Sequence, residues 1–500
     1  SMGGKKIKVC KQTIYAFLLL MCLIIAYAYE STMVGSGVLH NIQFVSIIGT
    51  GILLYIIASW KTVYYRILSP YIIIVSTLYL TLCGQSVAWA FGLKAGYRDL
   101  RYAAYGTVTF LNNELCHALL YSYLCIVMLH VAVLAYVDPS TKKMKRVEKA
   151  FEKEKQNQLN SIDKRLYKIL VVFGMVLIAL TIVPYLMTNL KSYSIIRIKG
   201  YGAQYDSVSY GLSSIGAKIA DFFPVGVVTL LFAWGKKTEY NKNNYELKCT
   251  FAYLIVGLHL FIQLLLSQRT GVILFTVAIL FLYFTDKKIP RKWILFGILG
   301  CAILMAGMRM VDMIRSGSVA DISDFFTYVA DDDNNPVLDF LGDIGWNLMT
   351  TLEFQKVIPS AHGFGLGSSY LVSMTSIIPN LNFWAVHPAY QYGNISGWLQ
   401  EYLRFSFGIG CTPVAESYYN FGVFGFLFFL IWGKFIASLN RKFDSPKSIL
   451  DNYQVILFMG ILLKSSVRSS MFAVFRPYIF YVVLPVILIK TVYQNRTLKA

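Results

Sequence analysis

The apolar residues of this chain fall in unbroken runs of roughly 17–24 residues, the length of helix that crosses a hydrocarbon layer of about 30 Å. That single feature removes most folds from consideration. A segment in lipid must satisfy its own backbone polar groups, so it is a helix or part of a closed barrel. Barrel strands are short and alternate in polarity, whereas these runs are long and uniformly apolar. The runs predict helices near residues 13–29, 40–59, 69–92, 114–137, 166–187, 213–234, 250–267, 271–285, 292–309, 417–439, 450–465 and 474–493. The fold class expected is an all-α polytopic membrane protein with about twelve transmembrane helices. Composition agrees: 56% of the 500 residues are hydrophobic and 14% charged, against about 25% charged in a soluble domain.

Charge sets the orientation. With the N-terminus inside, about 31 of the 46 Lys and Arg lie in or beside the inside segments, the asymmetry that the positive-inside rule demands. Both termini are then cytoplasmic, and Lys5-Lys6-Ile7-Lys8 precedes a retained first helix. The net charge of +20 is accounted for by membrane orientation and attraction to anionic lipid, so no nucleic-acid partner is needed. The Lys142–Lys155 run reads as a solvated cytoplasmic helix. Eight scattered cysteines with no CxxC pair imply neither a disulfide framework nor a zinc site. No internal repeat of the kind common in secondary transporters is visible.

The pattern divides the chain into a nine-helix membrane region (1–309) with outer loops at about 93–113 and 188–212, a large extracytoplasmic loop (310–416), and three C-terminal spans with a cytoplasmic tail (417–500). The large loop is rich in Trp, Tyr, Phe and Gly, with amphipathic pieces at Trp346–Lys356 and Gly397–Phe407. It is expected to lie as short helices against the membrane, roofing a cavity. Cations are scarce on that side. Arg269 sits at the tip of a hairpin, Arg309 and Arg315 where the ninth helix leaves the membrane, and Arg468 and Arg476 beside the last helix. An ionisable group at membrane depth usually faces a cavity, and arginine binds phosphate bidentately. Each alone also suits an interfacial anchor; five at one level favour an anion site. Asp331-Asp332-Asp333-Asn334-Asn335 lacks EF-hand spacing and reads as a solvated turn, so no metal is expected.

The stretch Gly408–Gly425 places Glu416, Tyr418, Tyr419 and Asn420 at the mouth of a span, with glycines on either side. Glu416, Tyr418, Asn420, Phe421, Gly422 and Gly425 resemble the signature of the Wzy-type oligosaccharide repeat-unit polymerases, which make O-antigens and capsular polysaccharides. The Ser267–Gly271 hairpin is similar to their arginine-bearing loop. The large outer loop with Gly363-Phe364-Gly365-Leu366-Gly367-Ser368-Ser369-Tyr370-Leu371, followed by Ile378-Pro379, is similar as well. The resemblance implies a GT-C-like glycosyltransferase in the bacterial cytoplasmic (inner) membrane, with an extracytoplasmic active site and no cofactor. Its substrate would be an oligosaccharide on undecaprenyl diphosphate. Its partners would be membrane lipid, a flippase and a chain-length regulator. Arg269, Arg309, Arg315, Arg468 and Arg476 would hold the departing diphosphate, with Tyr419, Asn420 and Asp343 at the substrate. Glu416, His387 and His362 are the candidate bases, with Asp339 behind them. Trp346, Trp384, Tyr390, Tyr392 and Trp398 are expected mainly to anchor the loop at the interface. Two rival functions share these features: an O-antigen ligase using the same donor, and a lipid-linked oligosaccharide flippase or transporter.

Overall fold

A computed structural model describes residues 10–32, 38–64, 68–105, 108–137, 163–199, 213–235, 238, 240–266, 268–284, 307, 335–378, 383–405 and 408–497. The described chain is helical apart from a two-residue pairing of Ala104–Tyr105 with Val108–Thr109. Nine helices or helix groups in it are long and apolar enough to cross a membrane, which makes this a multi-pass membrane protein.

The first four are α1 (Lys11–Thr32), α2 (Ile42–Val63), α3 (Pro70–Ala90) and α4 (Asn112–Tyr136). Then follow α5 (Lys164–Lys199), the pair α6 (Ser213–Ala220) and α7 (Phe223–Trp234), α8 (Tyr245–Leu265) and the shorter α9 (Arg269–Phe284). Among the C-terminal elements, α15 (Pro413–Phe421) runs through a 3-10 step into α16 (Phe428–Asp444). A rod formed by α17 (Ile449–Leu457), a π segment (Phe458–Leu462) and α18 (Leu463–Arg468) comes next. The last is α19 (Phe472–Pro477), a second π segment (Tyr478–Val483) and α20 (Leu484–Thr497). Between α9 and α15 lie the short helices α10 (Pro336–Ile344), α11 (Leu348–Val357), α12 (Ser368–Thr375), α13 (Pro388–Gly393) and α14 (Ile395–Tyr402).

The expected span at 292–309, apart from Gly307, and the Lys142–Lys155 run lie outside the described residues. Two departures from the sequence reading go beyond a shift of a few residues at a helix end. The fifth helix continues to Lys199, because Asn189, Lys191 and their neighbours end the apolar run without breaking helical geometry. The sixth span breaks at Asp221–Phe222, ahead of Pro224 in the first turn of α7, where proline is tolerated and a preceding turn is not.

Several helices start from one local rule: a cap residue followed by proline. The Ser69 hydroxyl accepts the Ile72 N–H, Asn335 accepts from Val337 and Leu338, and Thr412 accepts from Ala415. In each case proline fills the first helical position, where a missing N–H costs nothing.

The core centres on α3 and α4. Their apolar windows are 83% and 89% buried, against 22% for α1 and α8, whose outward leucines and isoleucines suit lipid contact. Short helix α10 and the turn after it press onto α3. A Cβ on Gly345 would lie 2.5 Å from the Gln85 nitrogen, so the two chains cross at a distance only glycine allows. Gln85 is itself fully buried. Its amide donates to the carbonyls of Arg98 (2.9 Å) and Gly342 (2.8 Å), and its Oε1 accepts from Leu100 N (2.9 Å). Asp99 accepts from Trp89 Nε1, Ala95 N and Arg101. These polar ties fasten the 93–111 connection and the 336–345 segment to α3. The 336–357 segment is thus part of the bundle: Leu348, Met349, Leu352 and Phe354 are all buried at 1% exposure or less.

Candidate active site at the loop-rich end of the bundle

The site begins with two glycine-rich stretches that dock on each other. Gly365 N donates to Tyr419 O (3.0 Å) and Leu366 N to Asn420 O (2.9 Å). These bonds satisfy carbonyls at the C-terminal end of α15 that the helix leaves orphaned. Gly365 is required: its Cβ would sit 2.4 Å from Cε1 of Tyr419.

A chain of buried polar groups locks the junction. Asn420 Oδ1 accepts from Gly367 N (2.9 Å), which fixes the amide so that Nδ2 donates to Ser369 Oγ (2.7 Å) and Glu416 O (2.9 Å). The Ser369 hydroxyl hydrogen is then committed to Glu416 Oε1 at 2.7 Å. Glu416 Oε2 accepts the Met471 N–H at 2.7 Å. Glu416, Ser369 and Asn420 are fully buried. Each carboxylate oxygen therefore has one donor, and the second donor belongs to the connector between α18 and α19.

That connector follows directly on Arg468. Arg468 Nε donates to Asn347 Oδ1 (3.2 Å), and Gly410 backs onto the Arg468 side chain. One helical turn earlier stands Lys464, whose Nζ donates to Gln268 Oε1 at 2.8 Å. A Cβ on Gly271 would be 3.6 Å from the same Nζ. The 268–271 hairpin, the 408–425 stretch and the end of α18 thus converge. Residues four apart share one helix face about 6 Å apart. Two cations on one face repel, a penalty that an anion bridging both removes.

Arg269 is the first residue of α9, within that hairpin, while Arg309 and Arg315 lie outside the described residues. Arg476 packs over Phe480 at 5.7 Å. It stands near Asp221, which accepts from the Tyr481 hydroxyl at 3.1 Å. His387 caps α13, its Nδ1 accepting from Ala389 N (3.1 Å) and its Nε2 bonded to Ile378 O (2.9 Å). His362 Nδ1 bonds to Gly363 O (2.7 Å), and its ring lies 4.5 Å from Trp398 and 5.9 Å from Tyr419. Tyr419 also meets Phe354 at 5.5 Å. Asp343 pairs with Arg98 (3.3 Å) and accepts from the Tyr97 hydroxyl (3.0 Å), while buried Asp339 accepts from Tyr97 N (3.1 Å). The two aspartates hold the 95–98 turn. Asp331–Asn334 lie outside the described residues, and Asn335 is the cap of α10.

Near the network, burial and the Glu416 charge push the Cys411 thiol well above its usual range; the neutral thiol is a poor nucleophile. Burial and Glu416 do the same to the Tyr370 phenol. Burial raises the Glu353 carboxyl, partly offset by Lys356. Sequence reasoning missed Lys464. It lies inside the apolar run Val455–Val467, and its spacing of four from Arg468 was the available signal.

No curated protein sequence and no solved structure matches the chain. The family described as O-antigen polysaccharide polymerase Wzy matches over residues 12–496. With nearly the whole chain matched, including every element of the site above, this protein belongs to the Wzy O-antigen polysaccharide polymerase family.

Proposed function

We propose that the chain transfers a glycan from undecaprenyl diphosphate to a hydroxyl of a second undecaprenyl-diphosphate-linked repeat unit. The loop-rich end would face outward from the bacterial inner membrane, with both termini in the cytoplasm. One observation carries this reading: Lys464 and Arg468 share a helix face beside the 268–271 hairpin, braced by Gln268 and Asn347. Such a pair suits the two charges of a diphosphate leaving group, whose departure it would stabilise. Glu416 serves here as a positioning residue, holding the connector that follows Arg468. Arg269 and Arg476 add positive charge from the neighbouring elements. The reaction proceeds without a metal.

The test is reconstitution of the purified protein with undecaprenyl-diphosphate repeat units, chelator and no nucleotide sugar. A ladder of rising repeat number is expected, and Arg468→Ala and Lys464→Met should lose it while still expressing. Scrambling of substrate across liposomes without a ladder would refute the polymerase reading in favour of a transporter. Transfer only to a lipid A acceptor would make the protein a ligase.

A further inference from the structure

A second polar cluster lies where α1, α2 and α4 meet at the loop-rich end. Glu30, near the end of α1, is 7% exposed. One of its oxygens is in a short hydrogen bond with His117 Nδ1 on α4. The other lies 3.6 Å from His40 Nε2 in the α1–α2 connection. The far nitrogen of His117, Nε2, is bonded to the Tyr27 hydroxyl at 2.6 Å. Carboxylate, imidazole and hydroxyl thus stand in line, the order in which a carboxylate orients a histidine that takes a hydroxyl proton. Ionisable groups at this depth cost energy to keep. Two of them suffice to pin α1 to α4, and the further alignment of a phenol on the free imidazole nitrogen goes beyond that need.

The cluster points at the anion site along α11. That helix starts after Asn347, which holds Arg468. Eight residues on, Gln355 faces Tyr27. Thr351, one turn earlier on the same face, has a fully buried hydroxyl with no hydrogen-bond partner among the described residues. A hydroxyl without a partner inside a packed wall is a group awaiting one. Eight residues of helix measure about 12 Å. An arginine-bound diphosphate, the anomeric carbon beside it, an attacking oxygen about 3 Å beyond and a base within about 3 Å of that oxygen together span on the order of 10 Å.

We propose that Tyr27, His117 and Glu30 form the proton relay for the acceptor sugar, whose hydroxyls bind along α11 at Thr351 and Gln355. This rests on the diphosphate reading above. In the step, the acceptor O–H bond breaks and its proton passes to the Tyr27 oxygen as the phenolic proton moves to His117 Nε2. The acceptor oxygen's electron pair forms the new bond to the anomeric carbon. The carbon–oxygen bond to diphosphate breaks with its pair, and Lys464 and Arg468 take that charge. The imidazolium is held by Glu30, and the proton leaves through His40, which is partly exposed. Of the histidines proposed earlier, His387 has both ring nitrogens engaged.

The experiment uses the full chain in lipid nanodiscs. It measures affinity for undecaprenyl diphosphate, and the rate of ladder formation from repeat units extracted from the host. Tyr27→Phe keeps the ring that packs on His117 and Tyr121 and should fold. It is expected to bind undecaprenyl diphosphate as wild type does and to polymerise about 100-fold more slowly or worse. His117→Ala should be as slow, with imidazole restoring part of the rate. Arg468→Ala should fail on affinity instead. Tyr27→Phe polymerising within threefold of wild type overturns the relay and leaves the diphosphate site standing. A slow His117→Ala with no response to imidazole removes histidine from the proton path. A wild-type chain without affinity for undecaprenyl diphosphate overturns the diphosphate reading, and the relay falls with it.

Discussion

Replacing Glu416 by glutamine tests the clamp at the centre of the site. The side chain has one acceptor oxygen for Ser369 Oγ and one for Met471 N, both at 2.7 Å. Glutamine supplies a single acceptor oxygen and turns two hydrogens toward the other donor. If Ser369 Oγ, which already accepts from an Asn420 fixed by Gly367, took a second hydrogen from the new amide, its own hydroxyl hydrogen would lose the acceptor it has in Glu416. The variant therefore loses one hydrogen bond to a charged group, worth about 1.5–3 kcal/mol, and opposes two donors in a buried place. A loss of about 2–3 kcal/mol lowers the docked population of the 469–471 connector by roughly 30- to 150-fold. Hydrogen exchange read by mass spectrometry over 469–472 should rise by about that factor, since exchange reports local opening. Polymer should fall with it, because Arg468 is fixed from the same connector. Unchanged exchange at Met471 would refute the clamp, whether polymer survived or not. If polymer were lost with exchange unchanged, Glu416 would belong to the chemistry and not to positioning.

Gly365→Ala should lower the melting temperature and cut polymer yield. The new methyl meets Tyr419 at 2.4 Å and Asn420 Oδ1 at 2.9 Å, a clash costing about 1–3 kcal/mol, and a wild-type melt would refute the docking of the two glycine stretches. Glu353→Gln should melt at or above the wild-type temperature near pH 7. Burial raises the Glu353 carboxyl in the fold, so wild type loses stability as pH climbs through that raised value. The difference should vanish below about pH 4, where both forms are neutral, and Lys356 keeps its 2.8 Å partner Glu114 throughout. Deleting Ile461 from the π segment should leave expression intact and abolish polymer, since one residue fewer turns Lys464 and Arg468 by about 100° relative to α17; polymer at wild-type yield would refute that account.

What was legible in the sequence follows what is local. Runs of apolar residues fix the spans because length against bilayer thickness is a one-dimensional property. The Ser69-Pro70, Asn335-Pro336 and Thr412-Pro413 starts are local too. The two glycine-rich stretches were visible separately, but their docking was not. It depends on bonds between residues 47 to 55 apart, such as Ser369 to Glu416 and Met471 to Glu416, which no spacing rule encodes. Lys464 was hidden by the apolar residues around it. Gln85 is a lone amide within an apolar run, and it is the buried tie between α3 and the loops it supports. Tyr27, Glu30 and His117 sit 87 and 90 residues apart in pairs, and nothing in either segment alone suggests a relay.

The interruptions in the spans explain how an apolar bundle presents polar groups at one level. The C-terminal rod carries a π segment at Phe458–Leu462, immediately before Lys464 and Arg468, and the last span carries another at Tyr478–Val483, after Arg476. A π turn holds an extra residue, so it resets which face the following residues occupy, and such turns gather at functional sites. In α3 the helical angles fail at Cys83, just before Gly84 and Gln85. The sixth span stops and restarts at Asp221–Phe222, where Asp221 meets Tyr481. Each interruption frees a polar residue from the periodicity of its own helix and lets it answer a neighbour. A regular helix would place Lys464 about 100° from the rotation that the extra residue of the π turn gives it. The wider turn separates two demands on one rod: an apolar face packed against the bundle up to Met459, and a pair of cations turned toward the 268–271 hairpin and Asn347 beyond it.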